Sequence, residues 1–244
     1  MKQHPRWTVL MLMTVCIVPI AAAQNPAGSC WHETKSDFVA GLKGIPAGIE
    51  SIPGGVVHGD YKWLLPVGLA TGLLIGTHAD QRASAHIASP SSEQTSRNLS
   101  NALLGVELGS AGLTYLVGCR VDGAGGHSRA RSAGFHALEA AGYALATDEM
   151  LKAAFRREYP GTAGGDGRFW HGGGSFPSGH AAASFGFASA MAHEYPHNKW
   201  VAIASYSAAV VVSGLRFSGK SHFPSDLLIG ATVGYPIGRH FGNE

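Results

Sequence analysis

Charge is scarce in this 244-residue chain. Asp, Glu, Lys and Arg make up only 14% of it, with 18 basic residues against 16 acidic ones. Basic stripes and acidic tails are missing, which argues against a nucleic-acid reader and against a charged disordered segment. Cysteine is scarcer still, at 3, and no pair has the tight C-x-x-C spacing of a thiolate metal site. Alternating polar and apolar runs are few, so β architectures find little support. No internal repeat of solenoid length is present. The G-x-S-x-G elbow of the α/β-hydrolases is missing as well, and with it a reading of Ser178 as a serine-hydrolase nucleophile.

What is present is small and apolar. Lys2 and Arg6 precede an apolar run from Thr8 to Ile20, followed by Ala21-Ala22-Ala23. That order is a secretory signal, expected to cover residues 1–23 and to place the mature chain in the periplasm or cell envelope, with the inner membrane as an alternative site of association. Its removal takes away two cations and leaves 16 basic residues against 16 acidic ones. Cys16 leaves with it, so Cys30 and Cys119 remain as a candidate disulfide pair in an oxidising compartment. Residues 24–60 are rich in Gly, Pro and Ser and read as an irregular leader to a single domain, residues 61–244. Apolar segments follow at Trp63–Thr77, Ala102–Cys119, Ala133–Thr147, Ala181–Ala192, Trp200–Leu215 and Leu227–Gly238. The expected fold class is therefore all-α, a bundle of about six core helices. Glu107, His136 and Glu139 interrupt two of these segments and the mean hydropathy is only +0.06. A soluble or shallowly membrane-associated bundle suits that value.

Two seams between loop and helix carry the chemistry. In "GGGSFPSGHAAASF", residues 172–185, Pro177 reads as the first residue of a helix, with Ser178, Gly179 and His180 in its opening turn. The exposed N–H groups and positive dipole end of a helix suit a phosphate or another anion. Gly179 lets an anion approach the backbone, Ser178 adds a hydroxyl, and His180 adds a group that exchanges protons. In "GLRFSGKSHFPSDLLIG", residues 214–230, Pro224 opens a second helix. Asp226 in its first turn is placed to accept a hydrogen bond from one nitrogen of His222, leaving the other as a nucleophile. Arg216 contributes a fork-shaped cation. A third stretch, "LKAAFRREYP", residues 151–160, brings Lys152 and Arg156 near the end of a helix that Pro160 is expected to terminate.

Together these stretches resemble the three motifs of the type 2 phosphatidic acid phosphatase superfamily: Lys-x6-Arg-Pro, Pro-Ser-Gly-His and Ser-Arg-x5-His-x3-Asp. Lipid phosphate phosphatases, bacterial class A acid phosphatases and vanadium haloperoxidases share that pattern. The resemblance implies a cofactor-free, metal-independent phosphatase acting on a lipid phosphate, an isoprenoid diphosphate or a small phosphomonoester. His222 would attack phosphorus, Asp226 orient it, and His180 protonate the leaving oxygen. Lys152, Arg216, Ser178 and Gly179 would hold the phosphoryl oxygens. A vanadate-dependent haloperoxidase using the same pocket is the alternative enzyme.

Two positions depart from the pattern. Leu215 replaces Ser, and Tyr159 replaces a phosphate-binding Arg, so an impaired membrane-bundle protein is a further alternative. Arg156 stands where the pattern has Gly, four residues after Lys152, and is expected to swing toward the phosphate in place of the missing cation. Arg157 is the other cation that could compensate. "HEYPH", residues 193–197, matches the H-E-x-x-H zinc pattern in letters only, because Pro196 breaks the helix it requires.

Overall fold

The computed structural model describes residue 39 and residues 62–86, 90–122, 128–162 and 166–242. The signal segment, Cys30 and all of the leader except Val39 lie outside the described residues. Among those described, the chain is all-α, with seven helices: α1 Leu64–Gly76, α2 Ala79–Ala85, α3 Pro90–Asp122, α4 Arg129–Phe155, α5 Gly179–Glu194, α6 Lys199–Ser218 and α7 Pro224–Phe241.

Six of these correspond to the apolar segments of the sequence. The seventh, α2, has the composition ADQRASA and carries too few large apolar residues to show a helical period. Several boundaries differ from expectation. The turn-rich Ser-Pro-Ser-Ser stretch at residues 89–92 contains the start of α3, with Pro90 at the first helical position. Pro177 precedes rather than opens α5, because Ser178 is the cap and its side chain accepts from Ala181 N–H. α4 ends at Phe155, before Pro160, because Arg156 takes a left-handed conformation at φ 46°. Pro224 does open α7, and α5 ends at Glu194 ahead of Tyr195 and Pro196. The "HEYPH" histidines therefore do not share a helix.

The core is built on small side chains. Ala137, Ala140 and Ala144 of α4 and Ala181, Ala182, Ala183, Ala188 and Ala190 of α5 are fully buried. Small surfaces let the helices approach until their backbones touch. The contact is closest between α5 and α7, where Gly230, Gly234, Gly238 and Gly242 recur every fourth residue on one face. A Cβ placed on Gly234 would lie 2.0 Å from the Ala182 carbonyl, and one on Gly238 would lie 2.1 Å from that of Gly186. A Cβ on Gly230 would lie 2.5 Å from the Ser178 carbonyl, so the stripe sets the separation of the two helix starts that carry the motifs. Glu107 of α3 accepts from Ser184 Oγ of α5 at 2.6 and 2.7 Å, the inter-helix role its apolar segment suggests.

Gly234→Ala should lower the thermal midpoint, because the backbones must part, and overpacking of this kind costs about 1–3 kcal/mol. Gly112→Ala on α3, whose Cβ would meet nothing within 4 Å, should stabilise by roughly 0.5–1 kcal/mol through helix propensity alone. Thermal melts of the two variants read both signs.

Candidate phosphate-binding active site

The expected site residues converge at one end of the bundle. His180 lies in the first turn of α5, Asp226 in the first turn of α7, Lys152 in the last turn of α4 and Arg216 in the last turn of α6. His222, on the connection between α6 and α7, is 3% exposed. Its Nδ1 lies 2.7 Å from the Ser175 carbonyl. A carbonyl only accepts, so Nδ1 carries the hydrogen and the lone pair is on Nε2. Burial, together with the Arg216 and Lys152 charges, holds the ring well below the usual imidazole range. His222 is thus a neutral imidazole with a defined nucleophilic nitrogen.

Asp226 does not orient this ring in the way expected. Its Oδ2 is 3.9 Å from His222 Nδ1, outside hydrogen-bond range. That oxygen instead accepts from Ser175 Oγ at 2.5 Å and Phe223 N–H at 2.8 Å. The carboxylate therefore reaches His222 through Ser175, holding by its hydroxyl the residue whose carbonyl fixes the ring.

Arg157 explains why Asp226 is placed so. Its guanidinium is fully buried and donates to Asp226 Oδ1 at 2.5 Å, Ser225 Oγ at 2.7 Å, Asp80 Oδ2 at 2.8 Å and the Gly167 carbonyl at 3.0 Å. It also stacks on Phe223 at 4.3 Å and on Phe169 at 4.9 Å. Arg157 is therefore a structural cation with its donors committed, and it does not compensate for Tyr159. Asp80, on α2, accepts from Ser225 N–H at 3.1 Å and from the Ser225 hydroxyl. It was invisible in the sequence, because one Asp in a polar seven-residue segment has no distinguishing neighbour.

His180 is held by Asn101 of α3, whose Oδ1 lies 2.8 Å from His180 Nε2. Arg216 Nη1 donates to the same oxygen at 3.4 Å, which sets the amide orientation and makes His180 Nε2 the donor. Burial, reinforced by the Arg216 and Lys152 charges, lowers His180 to about 3. Arg216 Nε is buried with no hydrogen-bond partner, and a buried charged donor of that kind calls for an anion. Ser178 is fully buried and accepts weakly from Ala181 N–H at 3.5 Å. Gly179 is also buried.

Tyr159 stands at the site. Its ring centre is 6.4 Å from that of His222, and its hydroxyl lies against Gly174, where a Cβ would come within 2.9 Å. Burial raises the phenol above its ordinary value, while Lys152 and Arg216 pull it down. Arg156 is not brought together with these groups. It is exposed, its side chain passes Gly172 at 4.0 Å from that residue's Cβ position, and its charge is not among those acting on His180, His222 or Tyr159. The left-handed backbone at this position is the physical reason a glycine suits it.

The PAP2 superfamily model matches residues 133–241, the segment that holds every motif residue, and over those residues the chain is similar to that superfamily. A lipid A 1-phosphatase of Porphyromonas gingivalis is 37% identical over 65 residues, 26% of this chain but only 15% of that protein. The crystal structure of a transmembrane PAP2 type phosphatidylglycerolphosphate phosphatase from Bacillus subtilis shares the fold. Its TM-score is 0.52 at 18% identity, over 73% of this chain and 94% of that one.

Arg157→Met should unfold the protein at markedly lower temperature, since it strands two buried carboxylates at a cost of about 3–5 kcal/mol. Arg156→Gly should raise the midpoint by relieving a left-handed non-glycine residue, worth roughly 1 kcal/mol. Calorimetric melts of both variants measure the two shifts.

Proposed function

We propose that this protein is a metal-independent phosphatase that hydrolyses a lipid phosphate or diphosphate through a phosphohistidine. The observation that carries the reading is the neutral His222, whose Nε2 lone pair is set by the Nδ1–Ser175 contact, beside a buried and unpartnered Arg216 Nε. In this mechanism His222 Nε2 attacks phosphorus as the bond to the leaving oxygen breaks. The phosphoryl oxygens rest on Arg216, Lys152, the Ser178 hydroxyl and the first N–H groups of α5. The Nδ1–H remains on the Ser175 carbonyl, and the charge that develops on the ring is met by Asp226. His180 in its protonated form gives the second proton to the leaving oxygen and, once neutral, takes one from the water that hydrolyses the phosphohistidine. Charge placement of this kind supplies most of the catalysis in phosphoryl transfer.

The lipid part of the reading rests on the surface. Two helices, Ser92–Val121 and Lys199–Ser218, are long and apolar enough to cross a membrane, and both are mostly unburied. Leu65, Leu69 and Leu73 of α1, Val106 and Leu113 of α3, and Ile203 and Val210 of α6 all point outward. Trp200 lies sixteen residues before Arg216 on α6, about 24 Å from the site end. It is 69% exposed, and Trp170 beside the site is 72% exposed. Tryptophans at the two ends of an apolar belt match the aromatic girdles of membrane interfaces. The lipid A and phosphatidylglycerolphosphate phosphatases among the similar proteins support the same class, and the signal-like pattern of residues 1–23 supports a site outside the cytoplasm.

His222→Ala should abolish turnover on a phospholipid monoester in mixed micelles, and retained wild-type rates would refute the mechanism. With His222 neutral across the working range and His180 lowered to about 3, kcat/KM requires protonation of the second group only. It should therefore rise as pH falls from about 8 to about 5, without an acid limb near 6.5. In His180→Ala that slope should flatten, with the largest rate loss on poor leaving groups. Tyr159→Arg should raise turnover by restoring a charged donor, an effect on the order of tenfold to a hundredfold.

A further inference from the structure

Asp148 is a buried carboxylate that the mechanism above does not use. It lies one turn before Lys152 on α4 and is fully buried, with Oδ2 2.6 Å from Lys152 Nζ. The contact is a buried ion pair at charge-assisted hydrogen-bond distance, and Oδ1 has no hydrogen-bond partner of its own. The carboxylate also fills the seam between α4 and the start of α5: a Cβ on Gly179 would lie 2.6 Å from Asp148 Oδ2. A side chain at 179 would therefore strike it. Lys152 has a second carboxylate, Glu149 at 2.9 Å, but that side chain is 69% exposed and leads toward solvent. The two anions thus draw the ammonium in different directions, and only Asp148 draws it to the turn formed by Ser178 and Gly179.

We infer that Asp148 is a positioning residue that aims the Lys152 ammonium at the phosphate seat on the α5 N-terminus. Burial pushes Asp148 up to about 6 against the pull of Lys152, and Asp148 in turn holds the Lys152 ammonium in its charged form. The carboxylate therefore fixes both the charge and the place of Lys152, whose remaining donors are left for an anion on the far side of the seam. The companion glycine follows from the same geometry, because Gly179 is the residue that gives the carboxylate room.

The inference rests on the phosphatase reading, and a double-mutant cycle separates the two. The measurements are inorganic phosphate affinity by calorimetry, turnover of a soluble phosphomonoester, and the thermal midpoint. They are made on wild type, Asp148→Asn, Lys152→Met and the double variant. Asp148→Asn should weaken phosphate binding by about tenfold, the loss of one charged hydrogen bond, with the thermal midpoint measured alongside to show that the variant is folded. On the Lys152→Met background the same change should have no effect on phosphate. An additive double variant, or an Asp148→Asn protein that binds phosphate as wild type does, would overturn the inference and leave the hydrolase reading standing. Phosphate binding without turnover of any phosphate ester would overturn the hydrolase reading and leave the positioning role. If Asp148→Asn does not fold, Asp148→Ser takes its place in the cycle and is read the same way.

Discussion

A guanidinium sealed between two carboxylates is the constraint on which the site depends. Arg157 leaves α4 just beyond its end and is fully buried, bonded to Asp226 at the start of α7, to Asp80 on α2 and to the Gly167 carbonyl. Burying an unpaired charge is among the costliest things a fold can do, so the partners must arrive together. Once they have, the start of α7 is fixed to the exit of α4. Asp226 then fixes Ser175 through its hydroxyl, and the Ser175 carbonyl fixes His222. The tautomer of His222 is the last link of a chain that begins at the buried Arg157.

The helices carry the remaining geometry in the same indirect way. The glycine stripe on α7 brings its backbone against that of α5, and this close approach decides how far His222 stands from Ser178, Gly179 and His180. Larger side chains would have given a bundle of the same topology with its two helix starts apart. The site also gathers helix ends of both polarities: α5 and α7 bring N-termini, while α4 and α6 bring cations in their last turns. Cations are favoured at helix C-termini and anions at N-termini. The start of α7 is already met by Asp226 and Asp80, so an anion placed beside the start of α5 and the two cations would partner the buried Arg216 Nε.

Much of this was legible in the residues. Helix content follows from the run of small apolar segments, and the convergence of Lys152, His180, Arg216, His222 and Asp226 follows from motif spacing. The orienting partner of His222 was not legible. An i, i+4 His–Asp pair at a helix start reads as a direct contact, yet three better-placed donors compete for that carboxylate. Nor could the Arg156–Arg157 pair be sorted by sequence, since adjacent cations point to opposite sides of the backbone, one into the core and one to solvent. Asn101 lies far from every motif, and its role exists only once α3 packs against α5 and α6. Asp80 is of the same kind, a polar residue defined wholly by tertiary partners. Motif reading finds the groups that converge at the site; it does not find those that hold them.

The central claim is that His222 Nε2 bonds to phosphorus. Rapid mixing of the enzyme with a lipid phosphate radiolabelled at phosphorus, quenched in base, tests it directly. The account predicts a base-stable, acid-labile phosphoenzyme that maps to the peptide containing His222 and is phosphorylated at Nε2. A label on serine, on His180 or on no residue during active turnover would contradict it.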